Sequence, residues 1–534
     1  MSLIAGFHSG HDCSFCVLKD GKPLIHAELE RYIRLKEPLG DSLDFLFKEY
    51  SDSSKITHFT TGLDIWEGGP NNRYPKSWDK MLKISKQNGG ELHTYGHHLS
   101  HAANAFFSSN LEESLIFTID GGGEEPTDER ILSCNFAVYF GNGNKVYRID
   151  AFDDHGVGDR KVVNIGSFWT KCTKKIFGLS GGYPKGHQAG TIMGMACLGE
   201  PKYYQDFLNY LEDKSDLNYD FFKNIASKSE QDTFNVAASL QKATEIRFKN
   251  LITPYIKKYD YKNICISGGV SLNCVMAGKI YDWFPEIESI YADPIPYDAG
   301  LTLGSARYLW HHIMDNPRIK WEDNSTSYLG VQYNSEDIIN ALSKFKNKVT
   351  MSIVDDDFIV DELINKKIIS VFNSKSESGR RALGNRSILA DPRHKETKDI
   401  VNERVKHRQW FRPFAPSILR EEVKNWFERD IDSPYMSFAI PFKKEKTDEV
   451  PAVVHFDGSA RLQTVTKNDN SWYYNLISLF NKKTGVPILL NTSFNDREPI
   501  VETPENAISC FLGTDIDYLY FSEYNLIVYR NEKN

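Results

Sequence analysis

Residues 3–29, LIAGFHSGHDCSFCVLKDGKPLIHAEL, contain three apolar runs that are separated by two turns. Gly10 lies in the first turn, and the pair Asp20-Gly21 forms the second. An Asp-Gly pair between two apolar runs is a strong sequence signal for a β-hairpin. We therefore predict three strands in this region, the last two of which form a hairpin.

A second copy of this plan lies in residues 114–152, where SLIFTID, NFAVYF and KVYRIDAF are the apolar runs. A glycine-rich turn, GGGEE, follows the first run, and an Asn-Gly turn separates the last two. A third strand, ICIS, ends at Gly268 and Gly269. Glycine lets backbone N–H groups approach a phosphate, because a Cβ atom would block the approach. Each turn alone could be only a tight turn, but the duplicated plan predicts a two-lobed α/β fold that binds a nucleotide between its lobes.

The length of 534 residues predicts two large domains or three to four smaller ones. Residues 234–252 are amphipathic and predict one long helix. Residues 313–330 are polar and carry Pro and Asn, as a boundary does, and after residue 345 a new unit contains the apolar run KKIISVFN. We therefore place the first domain at residues 1–345 and the second at residues 346–534.

Composition and charge exclude several classes of protein. Hydrophobic residues make up 40% of the chain and charged residues 25%, which is ordinary for a globular protein and excludes a disordered one. The net charge of −8 argues against a general nucleic-acid or membrane-surface binder. The eight cysteines are scattered, and Cys13-x-x-Cys16 has no second pair to complete a zinc site, so we expect buried strand cysteines. Without a signal peptide or an apolar run of about 18 residues, a cytoplasmic protein is expected.

Two histidines in the segment HHLSHAANAFF have the spacing of metal ligands. His97 and His101 are four residues apart, which places both imidazoles on one face of a helix. His98 and His101 are a competing pair, and polar or hydrogen-bonded core histidines are an equally simple interpretation. Asp120 and Asp298 each lie beside glycines at the end of a predicted strand and would complete the site. Two histidines and two carboxylates suit iron, manganese or zinc.

The second domain contains a basic window in an otherwise acidic chain. Residues 380–420 carry eleven Lys or Arg against four Asp or Glu. Arg381, Arg386 and Arg412 lie among small and apolar residues, which predicts half-buried positions. A buried arginine needs a partner, so we expect a small anionic ligand such as a phosphate. Ser493 and Asn495 follow an apolar strand and could position the same ligand, or could simply satisfy a turn.

These segments together resemble the NodU/CmcH family of O-carbamoyltransferases over nearly the whole chain. In the first domain the resemblance is carried by GHDCSFCVLKDG, HHLSHAANAFFSS, FTIDGGGE, SGGVSLN and DAGLTLGSA. In the second it is carried by RALGNRSILADPR, VKHRQWFRPFAPS, HFDGSARLQTV and LLNTSFNDREPIVETP.

The resemblance implies both a fold and a two-step reaction. The first domain is similar to the threonylcarbamoyl-transferase (TsaD) type of the sugar-kinase/actin superfold, and the second to the YrdC domain. In the second domain carbamoyl phosphate and ATP would yield carbamoyl adenylate. In the first domain a hydroxyl group of an acceptor would then take the carbamoyl group, and AMP would leave. The intermediate would pass inside the protein, because it hydrolyses in water.

The resemblance also implies roles for individual residues. A divalent metal, Fe(II) with Mg²⁺ as the alternative, would be held by His97, His101, Asp120 and Asp298. His11 would act as general base, and Lys36 would lie near the carbamoyl group. The nucleotide would contact Gly121, Gly122, Gly268, Gly269, Ser271 and Asn273. Carbamoyl phosphate and ATP would be bound in the second domain by Arg381, Arg386, Arg412, Ser493 and Asn495.

Two positions depart from the family pattern. Arg380 stands where many members carry proline, and Thr191 stands where lysine is common, which puts nucleotide contacts around Thr191 in question. A tRNA-modifying threonylcarbamoyl transferase and a non-enzymatic nucleotide-binding protein are the alternative functions. The expected partner is a small molecule with a hydroxyl group, with no nucleic acid and no membrane, and the expected assembly is a homodimer. Acidic residues early in the chain would favour a cationic acceptor if they line its cleft: Glu28, Glu30, Asp64 and Glu67.

Overall fold

The computed structural model describes residues 2–62, 90–127, 131–155, 161–213, 215–321 and 326–531. Asp64 and Glu67 lie outside these residues. The chain divides into two compact units, residues 1–321 and residues 322–534, which are described separately below. Among the helices of the described residues, none combines the length and the apolar composition that crossing a membrane requires.

The first unit contains two five-stranded sheets with the same topology. The strands are β1 Leu3–His8, β2 Ser14–Lys19, β3 Lys22–Glu28, β4 His58–Gly62, β5 Glu91–Tyr95, β6 Glu113–Pro126, β7 Ile131–Asn142, β8 Lys145–Asp153, β9 Gly181–Gly182, β10 Gly186–His187, β11 Asn263–Ser267 and β12 Ser289–Ala292. The strand orders are β3-β2-β1-β4-β5 and β8-β7-β6-β11-β12, and β9 and β10 form a separate hairpin. In each sheet the first three strands are antiparallel and the last two are parallel to the first. This repeat of one topology confirms the predicted two-lobed α/β fold.

Eleven helices accompany these sheets in the described part of the first unit. They are α1 Leu29–Ile33, α2 Ser42–Glu49, α3 His97–Ser108, α4 Ile165–Lys175, α5 Ala189–Ala196, α6 Tyr204–Asp213, α7 Tyr219–Ala226, α8 Glu230–Tyr259, α9 Cys274–Gly278, α10 Ile280–Trp283 and α11 Leu301–Tyr308. Short 3₁₀ turns occur at Ser53–Lys55, Gly269–Leu272 and Asp298–Gly300, and a π turn at Leu309–Ile313. The long helix predicted over residues 234–252 is α8. The Ser229 hydroxyl caps it by accepting from the N–H of Asp232.

Helices α3 and α11 join the two sheets. Helix α11 packs on α3 and on β1 and β4 of the first sheet, and α3 packs on β6 and β11 of the second. Phe106 and Phe107 of α3 are fully buried in the core of the second lobe. Burying a phenylalanine side chain contributes roughly 1.5–3 kcal/mol, so this packing fixes α3 firmly against β6.

The second unit is an α/β domain built on one mixed sheet. Its strands are β13 Val349–Ile353, β14 Ile369–Phe372, β15 Arg386–Ala390, β16 Ala415–Leu419, β17 Phe438–Pro441, β18 Ser459–Val465, β19 Ile488–Ser493, β20 Tyr518–Phe521 and β21 Leu526–Arg530. Their order is β13-β21-β20-β14-β15-β19-β16-β18-β17. The helices are α12 Ser335–Ser343, α13 Asp356–Ile364, α14 Lys395–Ile400, α15 Val423–Trp426, α16 Ser471–Thr484 and α17 Pro504–Gly513. The likeness of this unit to the YrdC domain stays a prediction.

The boundary between the units falls earlier than the predicted position after residue 345. Helix α12 packs on α17 of the second unit, and the backbone N–H of Val331 donates to Glu502. Residues 326–345 therefore belong to the second unit, although they precede its first strand. The polar stretch 313–330 was the more accurate boundary signal, because it contains the division at residue 321.

Candidate functional site

Helix α3 places His97 and His101 side by side. The helix begins at His97, directly after Gly96 and strand β5, so both imidazoles lie in its first two turns. Their Nε2 atoms are 3.2 Å apart, and both side chains are buried. Gly123 lies against the ring of His97, where a Cβ atom would be 2.1 Å from Cγ of the ring. The four-residue spacing therefore produces the arrangement that the sequence predicted.

Two carboxylates complete a cluster with these histidines. Asp120 lies where the register of β6 with β7 shifts, and Asp298 opens a 3₁₀ turn after β12. His97 Nε2 is 3.1 Å from Asp120 Oδ2 and 3.6 Å from Asp298 Oδ1. His101 Nε2 is 3.7 Å from each of the same two oxygens. We call His97, His101, Asp120 and Asp298 the four-residue cluster, and one ligand atom of each lies within 4.8 Å of all the others.

The four-residue cluster fits a divalent cation. Two nitrogens and two carboxylate oxygens form a donor set that suits iron, manganese or zinc. The nitrogen-to-oxygen separations of 3.1–3.7 Å match those of neighbouring ligands around a metal with bond lengths of about 2.1 Å. Burial would lower the pKa of His101, but hydrogen bonds to Asp120 and Asp298 raise it to about 9. A cation would take the place of the proton that these two ionised carboxylates stabilise on His101.

His98 does not belong to this cluster. Its Nδ1 lies 2.8 Å from the Thr118 hydroxyl, and its Nε2 lies 3.0 Å from the carbonyl oxygen of Cys134. Burial, with His97 adding to it, lowers the pKa of His98 to about 3. The competing pair of His98 and His101 is therefore wrong, since His98 is a hydrogen-bonded core residue.

His11 lies beside the cluster but faces solvent. Its Nε2 is 3.3 Å from Asp298 Oδ2, its Nδ1 is 3.2 Å from Asp12 Oδ2, and its side chain is 63% exposed. The carboxylate of Asp298 raises the pKa of His11, although burial opposes this and solvent screens it. Sequence reasoning missed His8, whose Nε2 is 3.8 Å from Asp298 Oδ2. His8 is the last residue of β1 and precedes a glycine turn. Asp120 was predicted from the same kind of position, so this signal was available for His8 as well.

Two glycine-containing segments meet at Asp120. Gly268 has a φ of +88°, and a Cβ atom there would lie 2.3 Å from the carbonyl oxygen of Ile119. The N–H of the next residue, Gly269, donates to Asp120 Oδ1 at 2.7 Å. Gly121 and Gly122 directly follow Asp120 within β6, where the register with β7 shifts, so the turn predicted over GGGEE is an irregular part of this strand. The structure thus brings the predicted glycines together beside the four-residue cluster.

Ser271 and Asn273 have local partners in the structure. The Ser271 hydroxyl donates to the carbonyl oxygen of Gly268. The Asn273 side chain caps α9 and exchanges hydrogen bonds with Gln241. Thr191, the departure from the family pattern, is buried in the first turn of α5. Contacts of Ser271 and Asn273 with a nucleotide stay predictions.

Lys36 lies beside the hairpin formed by β9 and β10. A Cβ atom at Gly186 would be 2.9 Å from Cδ of Lys36. The neighbouring Glu37 holds this hairpin by accepting from the N–H of His187 at 2.9 Å. The role of Lys36 near the carbamoyl group stays a prediction.

The second unit gathers three arginines that repel one another. Burial and Arg461 lower the pKa of Arg412 to about 10. Burial, Arg412 and Arg461 hold the pKa of Arg408 well below its usual range. We call Arg408, Arg412 and Arg461 the arginine trio. Because clustered and partly desolvated cations are costly, this arrangement is suited to an anion with several oxygens.

Ser493 and Asn495 surround a buried lysine that sequence reasoning missed. Lys406 Nζ donates to the carbonyl oxygen of Ser493 at 2.7 Å and to Asn495 Oδ1 at 2.6 Å. The Ser493 hydroxyl donates to Asn495 Oδ1 as well. In the sequence this lysine is one of several basic residues in VKHRQWF. Its partners lie almost 90 residues away, so no local pattern identifies the contact. A ligand-binding role for Ser493 and Asn495 stays a prediction.

Arg386 has partners that differ from the expected anion. Its guanidinium is fully buried and donates to the carbonyl oxygens of Asn373 at 2.7 Å and Asn385 at 3.0 Å. It also donates to Ser374 and lies 3.4 Å from the ring centroid of Phe372. These contacts stabilise the loop before β15. Arg386 therefore has a structural role that the sequence did not predict. Arg381 is half-buried, as expected, and its role in binding an anion stays a prediction.

Replacing Arg386 by alanine should destabilise the protein. The change leaves a cavity and three buried carbonyl oxygens without their donor, so we expect a loss of about 3–5 kcal/mol in the free energy of unfolding. Urea unfolding measures this loss. Arg404→Ala, on the exposed surface of the same basic window, should stay within about 0.5 kcal/mol of the wild type. Similar stability of the two variants would contradict the structural role.

Two family models match this chain, one within each unit. Residues 48–307 match the family described as Carbamoyltransferase N-terminus, and residues 360–527 match Carbamoyltransferase C-terminus. Nodulation protein NolNO of Sinorhizobium fredii is 33% identical over 96% of this chain and 78% of its own length. The 3'-hydroxymethylcephem-O-carbamoyltransferase of Amycolatopsis lactamdurans is 28% identical over 73% of this chain and 74% of its own. Among solved structures, HypF of T. kodakarensis covers 59% of this chain and 48% of its own, with a TM-score of 0.38 and 15% identity.

Proposed function

We propose that this chain, which belongs to the NodU/CmcH family of carbamoyltransferases, transfers the carbamoyl group in two steps that consume ATP. Carbamoyl transfer follows from the family itself. The use of ATP, the adenylate intermediate and the class of acceptor are our proposal. The observation that carries it is that the chain has two separate sets of polar groups, an arginine trio in one unit and the four-residue cluster in the other.

The first step would take place in the second unit. Water attacks carbamoyl phosphate and inorganic phosphate leaves, which yields carbamate. A carbamate oxygen then attacks the α-phosphorus of ATP, and pyrophosphate leaves as carbamoyl adenylate forms. Both substrates are polyanions, and the arginine trio offers planar guanidinium groups that bind phosphate oxygens in pairs. Burial and the repulsion from Arg461 lower the pKa of Arg412, and bound phosphate oxygens would offset both effects.

The second step would take place in the first unit. A divalent cation held by the four-residue cluster, with Fe(II) as the best match, would act as Lewis acid toward the phosphate of the adenylate. His11 lies beside the cluster and faces solvent, and it would take the proton of the acceptor hydroxyl at Nε2. A cation bound to Asp298 would offset the carboxylate charge that raises the pKa of His11, and so would favour the neutral imidazole that a general base requires. The acceptor oxygen forms a bond to the carbamoyl carbon, and AMP leaves. Gly121 in β6 and Gly268 after β11 would give the nucleotide close access to the backbone.

The acceptor we propose is a small molecule with a hydroxyl group. The sequence raised a cationic acceptor through its early acidic residues, but two of these have other partners. Glu28 is buried, accepts from the Tyr297 hydroxyl and lies 3.4 Å from Arg31. Glu30 accepts from the N–H of Glu37 at 3.1 Å. These contacts give no support to a cationic acceptor.

Product analysis with ATP and carbamoyl phosphate tests the proposed function. The purified protein, loaded with Fe(II) or Mg²⁺, should release pyrophosphate and form a species with the mass of carbamoyl adenylate. Addition of a hydroxyl compound that is an acceptor should convert this species to AMP and a carbamate ester. Absence of pyrophosphate under both metals would contradict the first step. Salt-sensitive binding and carbamoylation of tRNA would instead favour the alternative, tRNA as acceptor.

A further inference from the structure

A second group of metal-type side chains lies at the edge of the first sheet. His58 is the first residue of β4, and Glu91 and His93 lie on β5, which is the outermost strand of the order β3-β2-β1-β4-β5. We call these three residues the edge cluster. His58 Nδ1 is 3.2 Å from His93 Nε2 and 3.9 Å from Glu91 Oε2, and His93 Nε2 is 3.6 Å from the same oxygen. None of these residues contributes to the four-residue cluster.

The edge cluster has the dimensions of a metal site. In the plane of its three ligand atoms, the point equidistant from them lies about 2.1 Å from each, given separations of 3.2, 3.6 and 3.9 Å. Zinc bonds to imidazole nitrogen and to carboxylate oxygen have this length. Two imidazoles and one carboxylate also form a common donor set for zinc that leaves one position for water.

The backbone holds these side chains in place before any ligand arrives. Strands β4 and β5 are parallel, with His58 opposite Glu91 and Thr60 opposite His93. Successive side chains of a strand alternate between faces, so all three residues project from one face of this strand pair. The His58 and His93 side chains are 19% and 22% exposed, whereas the Glu91 side chain is 72% exposed. The two imidazoles are therefore largely buried and in contact with each other, whereas the carboxylate reaches into solvent, from which an ion can enter.

We propose that the edge cluster binds a divalent transition-metal ion, with zinc as the best chemical match, at a site separate from the four-residue cluster. The bound ion links β4 to β5 at the end where β5 begins. Helix α3 starts two residues after β5 ends. The ion therefore stabilises the strand that leads directly into His97. The competing interpretation is a neutral pair in which one imidazole donates a hydrogen bond to the other, and this pair needs neither Glu91 nor a metal.

Zinc binding to the full-length protein tests this proposal. Chelator-stripped protein is dialysed against Zn²⁺, and bound metal is counted by mass spectrometry. A background of His97→Ala with His101→Ala disables the four-residue cluster, so that the remaining zinc reports on the edge cluster alone. In this background we expect one bound zinc and a rise in the melting temperature with added zinc, because binding to the folded state stabilises it. Both effects should disappear when His58→Gln and His93→Gln are added.

Two further variants keep the result interpretable. Glu91→Ala changes an exposed side chain, so it should fold normally and weaken zinc binding at least tenfold. His155→Gln removes an exposed histidine that pairs with Asp154 outside both clusters, and it should leave zinc binding unchanged. Equal zinc binding with and without His58 and His93, or an unchanged affinity in Glu91→Ala, would overturn the proposal. Because the readouts are metal content and melting temperature, this result does not depend on the proposed reaction.

Discussion

Replacing His97 by alanine should stop carbamoyl transfer and leave the formation of carbamoyl adenylate nearly unchanged. His97 Nε2 lies 3.1 Å from Asp120, closer than the Nε2 of His101 at 3.7 Å, and its loss removes one of the four candidate ligands from a buried site. Without the cation the developing charge on the leaving AMP is not stabilised, so we expect transfer to fall at least about 10³-fold. Adenylate formation depends on the arginine trio of the other unit and should stay within about twofold of the wild type.

Two assays on the same protein measure this difference. Pyrophosphate release from ATP and carbamoyl phosphate reports the first step, and the carbamoylated acceptor reports the second. His155→Ala, in the same unit but outside the site, serves as the control and should match the wild type in both assays. Loss of both steps in a His97→Ala protein with a normal melting temperature would contradict the assignment of the two steps to different units.

Replacing Arg412 by methionine should have the opposite effect. Methionine keeps much of the apolar stem but removes the guanidinium, which we expect to slow adenylate formation at least about 10²-fold through lost charged hydrogen bonds. The second step has no substrate without the first, but supplied carbamoyl adenylate should still react at the wild-type rate. The folded protein should become no less stable, because one of three repelling charges is removed.

The outcome of this variant separates a binding role from a structural one. Arg404→Met, an exposed residue in the same basic window, should keep both the reaction rate and the stability of the wild type. A binding role predicts low activity with an unchanged or higher melting temperature in Arg412→Met. Low activity together with a much lower melting temperature would show that Arg412, like Arg386, supports the loop structure.

The local features of this fold were readable in the sequence. Asp-Gly and Asn-Gly turns between apolar runs specify hairpins within a few residues, so β2-β3 and β7-β8 formed where predicted. The pair His97 and His101 was readable for the same reason, because helical spacing is local. Asp120 and Asp298 were predicted because each lies beside glycines near the end of an apolar run, although Asp120 lies within β6 and not at its end. Their convergence on the histidines depends on the packing of α3 against β6.

The sequence alone could not distinguish the roles of the individual arginines. Arg386 and Arg412 both lie among small and apolar residues, and both were predicted to bind an anion. The structure gives the two arginines different surroundings. Arg386 donates hydrogen bonds to backbone carbonyl oxygens of residues 373–385, whereas Arg412 is repelled by Arg461 of a distant strand. Lys406 was missed because its partners, Ser493 at the end of β19 and Asn495 just after it, lie far along the chain. Such non-local pairings leave no periodic pattern in the sequence.

The central claim is that the chain activates carbamate with ATP before any acceptor takes part. The most direct measurement is the exchange of labelled pyrophosphate into ATP in the presence of carbamoyl phosphate and without acceptor. We predict exchange in the wild type and in His97→Ala, and none in Arg412→Met or when carbamoyl phosphate is omitted. A wild-type protein that transfers the carbamoyl group to an acceptor but shows no such exchange would contradict the account.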